Sequence, residues 1–336
     1  MEKIYDVTAL GELLIDFTEA GKSKDNRKLF EQNPGGAPAN LLTVASHMGY
    51  RTEFTGKVGR DMHGAFLKNT LRQEGIGTAY LLEDEKYFTT LAFVEIAENG
   101  EREFSFSRKP GADTQLLPEE IDHSLMENCR IFHFGSLSLT DEPAKSATEE
   151  AVAAAKKAGA LISYDPNYRE SLWESRKLAV ERMCSVIKNA DVMKVSDEES
   201  LLLTGMDTYE QAADKLLQMG PSLVAVTLGG DGVLIATKEK KEKVPGYRVQ
   251  AVDTTGAGDS FWGGFLSHFL QINKNLDEMT WDEIRSCAVY GNITAALCVQ
   301  KRGVHRLDVI SDRYFRATEF FAQIGNFYSS FSVKFS

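Results

Sequence analysis

The segment Asp253-Thr254-Thr255-Gly256-Ala257-Gly258-Asp259-Ser260-Phe261 decides how this chain is read. It starts as a turn almost without side chains and runs into a helix, because Phe261, Phe265, Leu266 and Phe269 recur at helical spacing. Gly256, Ala257 and Gly258 fall where the first amides of a helix have no intrahelical partner. Amides so little encumbered can close around an anion, and the helix dipole favours negative charge there. Asp259 would repel that anion unless a metal offsets it or it performs chemistry. Taking the proton of an attacking hydroxyl, while the amides hold a transferring phosphate, is such chemistry. The plainer reading is a glycine-rich turn followed by an ordinary first-turn acid. Two other phosphate motifs fail. Gly21-Lys22-Ser23 imitates the end of a P-loop, but Asp16 stands at its first glycine, and Gly229-Gly230-Asp231-Gly232 does not complete a dinucleotide fingerprint.

Around this segment lies a chain of 336 residues, 43% hydrophobic and 26% charged, which is ordinary for a soluble protein with a large core. A net charge of −11 argues against a general nucleic-acid surface. Cys129, Cys184, Cys287 and Cys298 are scattered, without a CxxC pair or a metal-like His/Cys cluster, as suits a reducing compartment. The first ten residues lead into a strand instead of a signal run, and no stretch approaches the ~20 apolar residues that span a bilayer. The expectation is a cytoplasmic protein, bound neither to membrane nor to nucleic acid.

Strand-like and helix-like segments alternate along most of the length, the pattern of parallel strands joined by crossover helices. Strands are expected at Tyr5 to Leu10, Ile131 to Phe134, Leu161 to Tyr164, Val192 to Val195 and Leu223 to Leu228. Helices are expected after Pro38, from Met62 to Glu74, from Ala144 to Ala158 and from Trp281 to Cys298. One region breaks the rhythm. Thr89 to Ile96 and Glu101 to Ser107 alternate at period two across Asn99-Gly100, a hairpin signal. Its first strand is apolar on both faces, which suits a flap or a subunit contact. On its second strand Phe104, Phe106 and Arg108 share a face, so Arg108 either reaches a polar ligand or packs its stem on Phe106. The tail from Tyr314 crowds eight aromatic residues and has no functional reading.

Pro34-Gly35-Gly36-Ala37-Pro38-Ala39-Asn40 forms a second glycine-poised site. Paired glycines admit a ligand to the backbone, and the Asn40 amide both donates and accepts, as sugar hydroxyls require. Asp16 can accept from two neighbouring hydroxyls at once.

Together with the Gly-Ala-Gly-Asp turn, these residues resemble the ribokinase (PfkB) carbohydrate-kinase family. The carboxyl-terminal pattern is met throughout Asp253 to Leu266, and the amino-terminal one at Gly35, Gly36, Pro38, Asn40, Gly49 and Gly59, departing only at Leu42, where a small residue is usual. The resemblance covers roughly residues 4 to 310. Within the family, Gly11 to Asp16, Gly56 to Asp61, Asp165 to Arg169 and Lys194 to Glu199 look like the fructokinase-like members.

The resemblance implies a ribokinase-like α/β fold: one domain over 1–313 with a central, mostly parallel sheet, and lid segments at about 17–33 and 87–107. It implies a homodimer through that β lid, and a tail over 314–336 beyond the pattern. The sugar is expected among Asp16, Gly35, Gly36, Asn40, Arg108, Arg169 and Asp259. ATP is expected beside Thr227, Gly229, Gly230, Gly232 and Asn292, with Lys194 reaching a phosphate. Ser196 replaces the usual Asn of a metal-handling pair, and Glu199 remains to help hold Mg2+ through water. Asp253 and Thr255, near Gly303, match a region that binds a monovalent cation such as K+ in relatives. The reaction implied is phosphorylation of a ketohexose, fructose to fructose 6-phosphate, with Asp259 as base and the amides of Gly256, Ala257 and Gly258 holding the phosphoryl oxygens. A kinase for a sugar acid such as 2-keto-3-deoxygluconate is the alternative, since Arg108 and Arg169 could pair with a carboxylate. A catalytically silent sugar-binding regulator is a further one.

Overall fold

The computed structural model describes residues 3–96 and 102–301. The Asn99-Gly100 turn, Gly303 and the aromatic tail lie outside the described residues, as does the side chain of Phe104. The chain opens with strands β1 (Tyr5–Leu10), β2 (Leu14–Lys22) and β3 (Lys28–Gly35), helix α1 (Ala37–His47), strand β4 (Thr52–Gly59) and helix α2 (Met62–Gln73). Strands β5 (Gly77–Asp84), β6 (Leu91–Ile96) and β7 (Arg102–Ser107) follow, then the short helix α3 (His123–Glu127). Next come β8 (Cys129–Phe134), α4 (Ala144–Lys157), β9 (Leu161–Tyr164), α5 (Arg176–Ile187), β10 (Val192–Ser196), α6 (Asp197–Thr204) and α7 (Tyr209–Met219). The described chain closes with β11 (Leu223–Thr227), β12 (Val233–Ala236), β13 (Lys241–Val244), α8 (Ala257–Ile272) and α9 (Trp281–Cys298).

Among the described residues, nine strands form one sheet in the order β13-β12-β11-β10-β9-β8-β1-β4-β5. Pairing is parallel from β11 to β5, and β12 alone runs against it, since β13 is antiparallel to β12 and so returns to the common direction. Parallel strands covered on both faces are buried throughout, and β4 is buried at every position although it carries Glu53 and Lys57, which are satisfied by the Ala79 amide at 2.8 Å and the Gln115 carbonyl at 2.9 Å. Two apolar layers result, one between the sheet and α4, α5 and α7, the other between the sheet and α1, α8 and α9. Leu42, at the position where the family pattern has a small residue, is fully buried in the second layer. The sheet grows from β1 to one side through β4 and β5, then to the other through β8 to β11. That reversal at β1 opens a crevice at the carboxyl ends of the strands, where ligands of open α/β sheets bind.

A second sheet, β3-β2-β6-β7, stands at this end. Its two hairpins meet through a parallel β2–β6 pairing, with Asp16 opposite Ala92. Ala92 and Val94 face inward and are buried, while Phe93 on the other face stacks on Phe17 and meets Phe30 edge-on. Both faces of β6 therefore carry apolar load, as its sequence indicates. The sheet joins the core at two hinges, 11–14 and 35–37, tied by Glu12. One Glu12 carboxylate oxygen accepts from the Ala37 amide at 2.9 Å, and Gly36 (φ 124) leaves no room for a side chain, since a Cβ would stand 2.4 Å from the Glu12 carbonyl. Burial pushes the Glu12 carboxyl up to about 7.

Candidate active site

Asp259 sits in the first turn of α8, and the crossing of α8 over α1 determines what faces it. Gly263, one turn further on, makes that crossing close: a Cβ there would stand 2.8 Å from Val44 Cβ and 3.0 Å from the Leu41 carbonyl. The approach brings Asn40 Nδ2 to Asp259 Oδ2 at 2.8 Å. Asn40 thus orients the acid, a role its sequence position did not reveal. The Asp259 carboxyl is pushed up to about 6, first by burial and then by the negative charge of Asp165, with Lys194 and the Asn40 amide opposing. It is ionised at neutral pH and remains basic enough to accept a proton.

Gly256 caps α8 in the left-handed conformation (φ 76, ψ 4), which a glycine adopts without strain. The amides of Gly256 and Gly258 have no backbone partner among the described residues. The Ala257 amide does: it closes a turn onto the Thr254 carbonyl at 3.2 Å. The expected cradle of three amides is therefore corrected to the two glycine amides, because the left-handed step that opens the turn directs the middle amide back into it.

Lys194, in the middle of β10, projects to the same place. Its ammonium is buried and donates to Asp165 Oδ2 at 2.9 Å. A Cβ on Gly258 would lie 2.8 Å from Nζ, so the cation and the turn border one space. Burial draws the Lys194 pKa down, but the charges of Asp165, Glu199 and Asp259 outweigh it and hold the pKa above its ordinary value. Lys194, Arg169 and Glu199 line a polar cavity of about 390 Å3. Ser196 and Glu199 form a capping box at the start of α6: Glu199 N donates to Ser196 Oγ at 3.1 Å and Ser196 N to Glu199 Oε2 at 2.8 Å. The other Glu199 oxygen accepts from the Tyr168 amide at 2.7 Å. Each oxygen already holds one amide, and the described residues contain no group of three or more His, Cys, Asp or Glu able to grip a metal. These residues fit a metal that arrives on a nucleotide and keeps its water, with Glu199 at most an outer partner.

The glycines after β11 border a larger groove. Thr227, Gly229, Gly230, Gly232 and Asn292 all line a cavity of about 610 Å3, which Ala257 and Gly258 also line. Gly232 (φ 103) is forced by contact, since a Cβ would meet the Val244 carbonyl at 2.2 Å. Asn292 donates to the Val244 and Pro245 carbonyls at 3.2 and 3.0 Å, holding the loop that forms the far wall. Asp253 accepts from the Thr255 amide at 2.8 Å, which shapes the loop matched to a cation region.

On the opposite side of the turn, Asp16 packs against Gly35, where a Cβ would come within 2.3 Å of its Oδ2. Arg108 departs from expectation. It is buried just beyond β7, donating to Asp113 Oδ2 at 2.8 Å, Thr140 Oγ1 at 2.8 Å and the Leu137 carbonyl at 2.7 Å. Its charge is matched by Asp113, so it pins the base of the hairpin to the core. Arg169 is exposed and near enough to Asp259 to lower its pKa. Asp165 was visible in the sequence only as part of the Asp165-Pro166-Asn167-Tyr168-Arg169 run; its position directly after a buried strand was the signal that it lies at the crevice.

The pattern of the family described as "pfkB family carbohydrate kinase" matches residues 5–309. The chain is 41% identical over 300 residues to probable fructokinase-2 of Arabidopsis thaliana, covering 88% of this chain and 91% of that protein. Among solved structures it resembles a fructokinase with bound ATP from Xylella fastidiosa, with TM-score 0.83, 30% identity, and 92% and 99% of the two chains covered. It also resembles a fructokinase double mutant from Vibrio cholerae O395 bound to fructose, ADP and potassium ion, with TM-score 0.80, 30% identity, and coverage of 91% and 96%.

Proposed function

This chain belongs to the pfkB family of carbohydrate kinases, and we propose that it transfers the γ-phosphate of ATP to a primary hydroxyl of fructose. The observation that carries the chemistry is the meeting of three groups at one point: the Asp259 carboxylate, the open glycine amides of its turn, and the buried Lys194 ammonium. Asp259 accepts the proton as the sugar oxygen attacks phosphorus in line, while the Gly256 and Gly258 amides and Lys194 hold the equatorial oxygens. Magnesium, carried by the nucleotide, would neutralise charge on the bridging phosphates. The fructose-bound relative supports the sugar, and its potassium supports a cation role for the Asp253–Thr255 loop. A sugar acid is disfavoured because Arg108, one of the two cations suited to its carboxylate, is already paired with Asp113.

The four-stranded sheet would close over the sugar as a lid, excluding water that competes as acceptor. Two copies would pair through it: its face opposite Ala92 and Val94 carries the half-buried Phe17, Phe30 and Phe93, and exposed Met62 and Phe88 adjoin the Asp61–Thr89 hydrogen bonds beside it. Sedimentation of the wild type and of a Phe88→Asp variant is expected to show a dimer weakened by the charge. A monomer at micromolar wild-type concentration would dismiss the pairing.

A coupled assay with ATP and Mg2+ is expected to rank fructose first, with 2-keto-3-deoxygluconate at least about a hundredfold poorer in kcat/KM, the penalty of a carboxylate met only by the exposed, solvent-screened Arg169. The kcat/KM profile should fall on the acid side with a midpoint near pH 6, where Asp259 becomes protonated. Preference for the keto-acid, or a profile flat down to pH 5, would remove the assignment.

A further inference from the structure

Lys194 is a buried cation with one recorded side-chain partner. Its ammonium has three donors, and the bond to Asp165 Oδ2 is the only one recorded for it among the described residues. Three carboxylates surround it, those of Asp165, Glu199 and Asp259. Glu199 already accepts an amide on each oxygen. Asp165 alone pairs with the ammonium among the described residues, while the charge of Asp259 also draws it. A lysine side chain turns about four bonds, so nothing in its own stem decides between them.

Asp165 is the more rigid of the two. It directly follows β9, its amide donates to the Phe134 carbonyl at 3.2 Å, and its Oδ1 accepts from the Asn167 amide at 3.2 Å. Only 3% of its surface is exposed. Fixed in this way, Oδ2 holds Lys194 against Gly258 and away from the base. Were the ammonium to pair with Asp259, it would neutralise the carboxylate that must accept the sugar proton and would leave the phosphate site at the same time.

We propose that Asp165 is a positioning residue: it holds the Lys194 ammonium at the phosphate turn and prevents it from capturing Asp259. This rests on the kinase reading above, and it concerns the phosphoryl group whichever alcohol attacks. A second consequence follows from charge alone. Asp165 is a fixed anion near Asp259, so it disfavours ionisation of the base and keeps it strong.

Asp165→Asn separates this role from a merely structural one. Loss of an anion beside the binding site of a polyanionic nucleotide leaves the KM for ATP unchanged or lower, whereas general damage raises it. We expect kcat at pH 7.5 to fall at least about tenfold with no rise in that KM. The acid limb of kcat/KM should move down by about one pH unit, the lower end of the effect of one nearby charge. Asp165→Glu keeps the charge but carries it one methylene further. It should leave the acid limb in place and still lose at least about fivefold in kcat, as placement of a catalytic group demands. A kcat within twofold of wild type in either folded variant overturns the proposal, as does an unmoved acid limb in Asp165→Asn. Should Asp165→Asn fail to fold, Asp165→Glu decides alone on the same kcat criterion. Wild-type turnover of fructose in the same runs tests the kinase reading separately, and with another acceptor sugar the variants report equally well.

Discussion

Asp259→Asn is expected to lose two to four orders of magnitude in kcat while melting at a higher temperature than the wild type at pH 7.5. The loss follows from removing the proton acceptor, whose contribution is typically 10²–10⁴-fold. Geometry should survive, because an asparagine oxygen can accept from Asn40 Nδ2 as the carboxylate does. The gain in stability follows from linkage. The folded-state pKa of Asp259 is about 6, above the ordinary 3.8, so folding disfavours the ionised carboxylate. That penalty is fully present above pH 6 and declines as pH falls, vanishing below about 4, where the group is protonated whether the chain is folded or not. The neutral amide never bears it. The melting advantage of Asp259→Asn should therefore shrink between pH 6 and 4, a trend that differential scanning calorimetry across that range can follow. Near-normal turnover in the folded variant would dismiss Asp259 as the base. A wild type that melts higher than the variant at pH 7.5 would mean that the carboxylate is stabilised by its neighbours instead of being held there for chemistry.

How far the site was legible in the sequence depended on what each residue needs from its surroundings. The Gly256 to Asp259 turn was readable because its meaning is local: absent side chains, a helix start and an acid all lie within one turn. The strands of the main sheet were readable for a similar reason, since burial on both faces makes β8, β10 and β11 mostly apolar. Contacts between distant elements were not. Nothing in Asn40 announces that it meets Asp259, because the meeting depends on Gly263 letting two helices touch. Arg108 was misjudged on the same ground. On a strand face beside Phe106 an arginine can point outward, and only the fold brings Asp113, Thr140 and the Leu137 carbonyl around it. Ser196 and Glu199 carried a legible capping pattern, a Ser followed three residues later by a Glu, which the family resemblance overshadowed.

Gly258→Ala should be at least as stable as the wild type and nearly inactive, with kcat reduced about 10²–10³-fold, the scale of losing one preorganised donor. Stability is not at risk because residue 258 is already helical: α8 starts at Ala257, and its left-handed step is at Gly256. Alanine in a helix is favoured over glycine by up to ~1 kcal/mol. The contact that a methyl would make falls on a mobile atom, Lys194 Nζ, at 2.8 Å, with Cε at 3.5 Å, so the fold yields by moving the ammonium instead of the backbone. That movement is the damage. Lys194 would leave the space beside the Gly256 and Gly258 amides, and the methyl would occupy part of the approach that a phosphoryl oxygen needs. Pairing kcat with the melting temperature makes the result decisive. A stable variant with kcat within threefold of wild type would mean that the transferring phosphate never comes close to Gly258, and the placement of the phosphoryl group at this turn would have to be abandoned.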